Sequence, residues 1–181
     1  MRKLIYQVNV SLDGFADHTA GIVDAELHDF FTAQYDGIDT QLLGRVTYEL
    51  MEYWHHVKDD PAATKDMLRF AERYLATPKV VFSRTLAGPL HAGERLVSGD
   101  PAAEVARLKR LPGKNMAIGG ISLAGEVIRK GLVDEYLILV HPVIAGKGRR
   151  LFEGLQDRTL LKLIGTQVFR SGIVVLRYEK G

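Results

Sequence analysis

Asn115-Met116-Ala117-Ile118-Gly119-Gly120-Ile121-Ser122, running on to Gly131 and then to Tyr136-Leu137-Ile138-Leu139-Val140, carries the strongest architectural signal in the chain. Asn115–Ile118 has the length and apolar character of a buried strand, and Gly119-Gly120 marks a tight turn. Ser122 to Lys130 reads as a helix closed by Gly131, and Tyr136–Val140 as the next strand. The same alternation extends in both directions. Upstream, Leu4–Val10 is a dense β-former run that stops at Ser11-Leu12-Asp13-Gly14, an Asp-Gly loop signal. Asp24 is placed to cap a helix carrying Leu27, Phe30, Phe31 and Tyr35. Gln41-Leu42-Leu43 is a short strand ending at Gly44-Arg45, followed by a helix with Val46, Leu50 and Tyr53 on one side. Asp60-Pro61 leads into a helix through Met67, Phe70, Ala71 and Tyr74. Lys79–Phe82 and Leu96-Val97 are further strands, and Asp100-Pro101 combines an N-cap with proline at the first helical position. Downstream, Leu160–Phe169 and Ile173–Tyr178 alternate on either side of Ser171-Gly172, a hairpin signal. Strands alternate with helices until this antiparallel end. The expected architecture is therefore α/β, a three-layer arrangement in which a mostly parallel central sheet carries an antiparallel C-terminal hairpin.

The 181 residues correspond to one domain over 1–181. The absence of cysteine excludes disulfide frameworks, thiol nucleophiles and zinc-thiolate sites, and it agrees with a reducing cytoplasm. Twenty-four Lys+Arg against 22 Asp+Glu give a net charge of +2, too balanced for a domain that binds nucleic acid through a large basic surface. No apolar run is long enough for a membrane span, and the opening residues are too short and too alternating for a signal peptide. A cytoplasmic location is the expectation.

Three strand ends are followed by small or phosphate-compatible residues: Gly44-Arg45-Val46-Thr47, Ser83-Arg84-Thr85 and Gly119-Gly120-Ile121-Ser122. Helix N-termini present unpaired N–H groups, and glycine lets an oxygen approach the backbone. In an open α/β sheet, ligands lie outside the carboxyl ends of the strands, where all three segments would meet. Arg45 and Arg84 add guanidinium forks that match phosphate oxygens. The row suits a nucleotide with several phosphates, although neither the Gly-x-Gly-x-x-Gly fingerprint nor a P-loop is present.

Val10-Ser11-Leu12-Asp13-Gly14-Phe15, Leu43-Gly44-Arg45-Val46-Thr47-Tyr48-Glu49, Val81-Phe82-Ser83-Arg84 and Gly119-Gly120 occur in an order that resembles the dihydrofolate reductase superfamily. The nearer likeness is to its bacterial branch related to the C-terminal reductase domain of the riboflavin biosynthesis deaminase/reductase. That resemblance implies a dihydrofolate reductase-like fold and NADPH as cofactor. It implies Gly119, Gly120 and Ser122 with the pyrophosphate and Arg45 and Thr47 near the phosphates and adenosine, with Gly44, Ile121 and Leu123 also in the cofactor site. Ser83 and Arg84 would lie near the 2′-phosphate, and the strand end Val8 to Val10 against the nicotinamide. It also implies a homodimer, and Asp13 in a loop that covers the active site. Two departures leave the substrate class broad. Gly21–His28 contains no Pro-Trp-x-Leu-Pro segment, and Phe15 follows the Asp13-Gly14 loop where the riboflavin reductases usually carry a basic residue.

The expected activity is NADPH-dependent reduction of a small heterocyclic or carbonyl compound, pterin-like or riboflavin-precursor-like. The alternative is a nucleotide-binding module of the same fold without turnover. His28 is the preferred proton donor because imidazole titrates near neutrality, with Glu26, Asp29 or a bound water as substitutes. Tyr48 and Trp54 are candidates to flank the substrate. No metal site is expected, since His55-His56 lacks the i, i+4 spacing for shared ligation and reads as exposed. Lys147, Arg149 and Arg150 read as a solvated turn.

Overall fold

The computed structural model describes residues 1–181. The parallel part of the sheet consists of β1 (Leu4–Ser11), β2 (Ile38–Gly44), β3 (Lys79–Phe82), β4 (Glu94–Val97), β5 (Asn115–Ile118) and β6 (Glu135–His141). The hairpin β7 (Leu161–Val168) and β8 (Val174–Lys180) completes an eight-stranded sheet in the order β4-β3-β2-β5-β1-β6-β8-β7. The pairings β1–β5, β1–β6, β2–β3, β2–β5 and β3–β4 are parallel, and β6–β8 and β7–β8 are antiparallel. This is the architecture expected from the sequence.

Alternation along β1 assigns the two faces. Leu4, Tyr6, Val8 and Val10 pack in the larger core with Val105 and Leu108 of α5 (Pro101–Lys109) and with Leu123, Ala124 and Val127 of α6 (Ser122–Arg129). Ile5 faces the other way, toward Leu27 of α1 (Ala25–Gln34) and toward Phe169, Ile173 and Val175 at the hairpin. Tyr35, just beyond α1, meets Phe70 and Tyr74 of α4 (Lys65–Ala76) on that second face. Helices thus cover both faces, as a buried parallel sheet requires. Asp24 accepts from the Leu27 N–H at 2.8 Å, and Asp100 from the Ala102 N–H at 2.9 Å, so both caps read from the sequence are formed.

One helix departs from the sequence reading. Val46 and Leu50 lie on α2 (Arg45–Met51), which stops at Glu52, and Tyr53 opens the separate short helix α3 (Tyr53–His56). All three side chains are exposed, and the buried residue of α2 is Tyr48, packed against Leu43 and Val81. The apolar stripe along this segment was therefore not its core-facing side.

Parallel strands place all their carboxyl ends on one rim. The opposite rim is closed by ion pairs: Arg2 with Asp39, Lys3 with Glu135 at 2.7 Å, and Lys109 with Asp134.

Candidate active site

A cleft of about 560 Å³ lies at the carboxyl rim, between the ends of β3, β2 and β5 and the first turns of α2, α5 and α6. That volume is within the usual range for small-molecule and cofactor sites. Gly44, Arg45, Thr47, Ser83, Arg84, Gly119, Gly120, Ile121, Ser122 and Leu123 all line it. Of the strand end Val8 to Val10, Val8 lines the cleft, whereas Val10, one pleat later on the same face of β1, is buried in the core and does not.

The local structure of this rim favours an anionic ligand. Gly44 caps α2 and Ile121 caps α6, and neither helix has a side-chain cap. Their leading N–H groups therefore lack the carboxylate acceptors that α1 and α5 receive from Asp24 and Asp100, and both face the cleft. Gly120 has φ +80°, and a Cβ there would stand 2.7 Å from Thr47 Oγ1. The β5–α6 turn is thus pressed onto the first turn of α2 in a space that only a glycine fits.

Cations are distributed unequally. Arg45 pairs with Glu49 at 2.9 Å one turn along α2, an exposed pair of small energy. Ser83 Oγ accepts from the N–H groups of Thr85 and Leu86 at 3.1 and 2.8 Å, shaping the turn that presents Arg84. Arg84 is exposed and has no ion-pair partner. Arg149, read from the sequence as part of a solvated turn, lines the cleft instead: its Nη1 donates to Ser122 Oγ at 2.6 Å, and its Nη2 pairs with Glu153 at 2.7 Å. Ser98, Gly99 and Pro101 were also missed as lining residues. Their signal was present, because Ser98-Gly99-Asp100-Pro101 is a further strand end leading into a helix, but it was read only as a cap.

Asp13 ties two loops together. Its carboxylate oxygens accept from the N–H groups of Ala145 and Gly146 at 3.0 and 2.8 Å. Hydrogen bonding from Ser11, together with these backbone donors, holds its carboxyl down to about 2. It is a carboxylate throughout the neutral range, and the link is lost only as the pH falls toward that value. Leu12 N–H to Val143 O and Leu151 N–H to Gly14 O, both at 2.8 Å, continue the same seam. His141, buried at the end of β6, holds the next segment: its Nδ1 accepts from the Ile22 N–H at 3.0 Å while Nε2 lies 3.0 Å from Asn9 Oδ1. Burial lowers its proton affinity, which suits an imidazole that accepts at one nitrogen.

The structure does not bring His28, Tyr48 or Trp54 to this cleft. His28 is buried on α1 with Nδ1 2.6 Å from Asp66 Oδ2, edge-on to Trp54 at 5.7 Å and near Phe70 at 6.1 Å. The cleft opens toward the α5/α6 side, whereas the contacts of α1 are with α4 on the other face, which is why a helix position chosen by analogy points elsewhere. Tyr48 donates to Glu94 at 2.7 Å beneath β3 and β4. Glu26 accepts from the Arg170 N–H, and Asp29 pairs with Arg69, so neither substitute donor faces the cleft. His55 is half-buried rather than exposed, against His91.

Comparison with known proteins agrees with this frame. The chain is 34% identical to the uncharacterized protein YyaP of Bacillus subtilis (strain 168), covering 98% of this chain and 95% of the relative. A putative riboflavin biosynthesis protein from Shewanella sp. PV-4 superposes with a TM-score of 0.70 at 20% identity, over 100% of this chain and 99% of that one. A pyrimidine reductase-like protein from Corynebacterium diphtheriae gives a TM-score of 0.65 at 14% identity, over 99% and 92% of the two chains. These likenesses give the dihydrofolate reductase-like fold. Residues 2–175, which hold the parallel sheet and every residue lining the cleft, match the family model of the RibD C-terminal domain, and the chain belongs to that family.

Proposed function

We propose that the protein is an NADPH-dependent reductase of a small heterocyclic or carbonyl compound. The observation that carries this reading is the meeting of three glycine- or serine-marked strand ends, two uncapped helix N-termini and the unpaired Arg84 in one cleft. Membership of the RibD C-terminal domain family supports a reductase, as does the fold shared with a pyrimidine reductase-like protein.

The cleft suits a phosphorylated dinucleotide, since the glycine at 120 lets the β5–α6 turn pack tightly on Thr47 and leaves no side chain over the backbone N–H groups of that turn. Gly119, Gly120 and the N-terminal turn of α6 would hold the pyrophosphate, Arg45 and Thr47 the phosphates and adenosine, and Ser83 and Arg84 the 2′-phosphate. Exposed Val46 and Leu50 offer apolar surface for a flat ring. NADPH supplies a hydride when bound. The chain contributes N–H donors of fixed direction and a guanidinium at the far strand end. With His28 held by Asp66, the proton for the reduced product comes from water; His18 is the only imidazole lining the cleft.

The test is calorimetric binding of NADPH, followed by NADPH oxidation against pterins, flavin precursors and quinones. Tight binding without turnover on a broad panel would favour the nucleotide-binding module. Arg84→Ala should weaken NADPH about 10–100-fold, the value of one charged hydrogen bond, while leaving NADH nearly unchanged. Equal losses for both nucleotides would place Arg84 elsewhere.

The same proposal includes a homodimer. β7 is the outer strand of the sheet, and Leu163, Ile164 and Val168 are exposed along it, an edge that soluble proteins usually cover. Light scattering at micromolar concentration should give twice the chain mass, and a monomer would overturn this part. No helix is long and apolar enough to cross a membrane.

A further inference from the structure

Two histidines distant in sequence meet beside the short helix α3. Glu52 precedes it, His55 lies within it, and His91 comes from the loop before β4. One ligand atom from each of the three residues lies within 4.8 Å of the others. His91 Nε2 is 2.8 Å from Glu52 Oε1, and the His55 and His91 rings stack with centroids 3.6 Å apart. Glu94, whose side chain is 1% exposed, stands next to them. Its Oε2 accepts from Tyr48 Oη at 2.7 Å and from the His91 N–H at 3.2 Å. Its Oε1 is buried with no hydrogen-bond partner, 3.9 Å from His55 Nε2.

Each feature is costly without a further group. A buried carboxylate oxygen lacking a donor forfeits its hydration, and such atoms are rare in folded proteins. The nearest cation, Lys79 Nζ, is 3.7 Å from Oε1 and donates to the carbonyls of Tyr74 and Thr77 at 3.0 Å. It offsets charge without completing the oxygen's bonding. Stacked imidazoles repel when both are protonated. A neutral imidazole is the form that binds a metal.

We propose that Glu52, His55 and His91, with Glu94 Oε1 as fourth ligand, bind a divalent cation of the zinc type. Two imidazole nitrogens and two carboxylate oxygens match the nitrogen and oxygen donors zinc accepts, whereas magnesium and calcium take oxygen ligands. The two carboxylates balance the ion's charge; the ionisable neighbours include Lys79, Tyr48, which donates to Glu94, and the outer His56, 3.9 Å from Glu52. Bonds of about 2.0–2.2 Å set a tetrahedral edge of ~3.4 Å, so the ligand atoms draw together by side-chain rotation as the ion enters. Any proton shared between His91 and Glu52 leaves to solvent. The ion would clamp the end of α2 to the β4 edge, and the other end of α2 forms a wall of the cleft. The assignment does not depend on the proposed reductase activity.

The test uses the untagged 181-residue chain stripped with a chelator. Zinc titration should saturate at one equivalent per chain and, at a hundredfold excess over Kd, raise Tm by roughly 5–11 °C, with no comparable rise from magnesium. The double variant His55→Ala/His91→Ala should lose the rise, while His56→Ala keeps it. Should the double variant fail to fold, cobalt(II) on the wild-type protein provides the second readout: strong visible bands of a tetrahedral centre are expected. A weak octahedral spectrum, an equal response to magnesium, zinc uptake unchanged in the double variant or loss of uptake in His56→Ala would overturn the site.

Discussion

NADPH affinity is expected to fall on the order of 100–1,000-fold when Gly120 is replaced by aspartate, a loss of about 3–4 kcal/mol. Three effects add. The residue sits at φ +80°, where an L side chain costs about 1–2 kcal/mol. Its Cβ would press on Thr47 Oγ1 from 2.7 Å, pushing the first turn of α2 away from α6. The new carboxylate would then occupy the N–H donors that the pyrophosphate needs and repel its charge. The strain is small beside a typical folding free energy of about 5–15 kcal/mol, so the protein should fold, and a circular dichroism melt checks this. Gly120→Ala carries the strain without the charge and should lose only about 10-fold. Wild-type affinity in a folded Gly120→Asp protein would mean that the turn serves packing alone, and the nucleotide assignment would fail with it.

His28→Ala should destabilise the fold by about 2–3 kcal/mol, lowering Tm by roughly 4–12 °C, and leave NADPH affinity near wild type. Removing the imidazole strands the Asp66 carboxylate, 14% exposed, without its partner at 2.6 Å and opens a space beside Trp54 and Phe70. His28→Gln keeps a polar group at that position and should recover part of the loss. Once a substrate is in hand, the pH–rate profile of His28→Gln should match the wild type, because the residue lies on the α1–α4 face. A loss of turnover by the roughly 10²–10⁴-fold of a general acid, with stability unchanged, would return His28 to the proton-donor role.

These two residues show how differently the site could be read from the chain. Gly119-Gly120 was legible because a glycine pair between an apolar strand and a helix is a local statement about backbone shape, and the parallel sheet carries every such turn to the same rim. His28 was chosen for its chemistry and its place on the first helix. Its surroundings come from α3 and α4, and no spacing along α1 foretells the contact with Asp66, 38 residues away. Tyr48 lies away from the cleft for a related reason: α2 turns Val46 and Leu50 outward and its tyrosine inward.

Strand and helix identity, both aspartate caps, the closing hairpin and the glycine-marked turns followed from the amino-acid order, because each depends on the periodicity or dihedral preference of a few consecutive residues. The faces of the helices, the entry of Arg149 into the cleft, the stapling of Asp13 to Ala145 and Gly146, and the meeting of His55 with His91 did not. Those contacts join segments 27 to 132 residues apart for Arg149–Ser122 and Asp13–Ala145. They depend on strand order and register, which are set by the packing of the whole core and leave no trace in the local pattern.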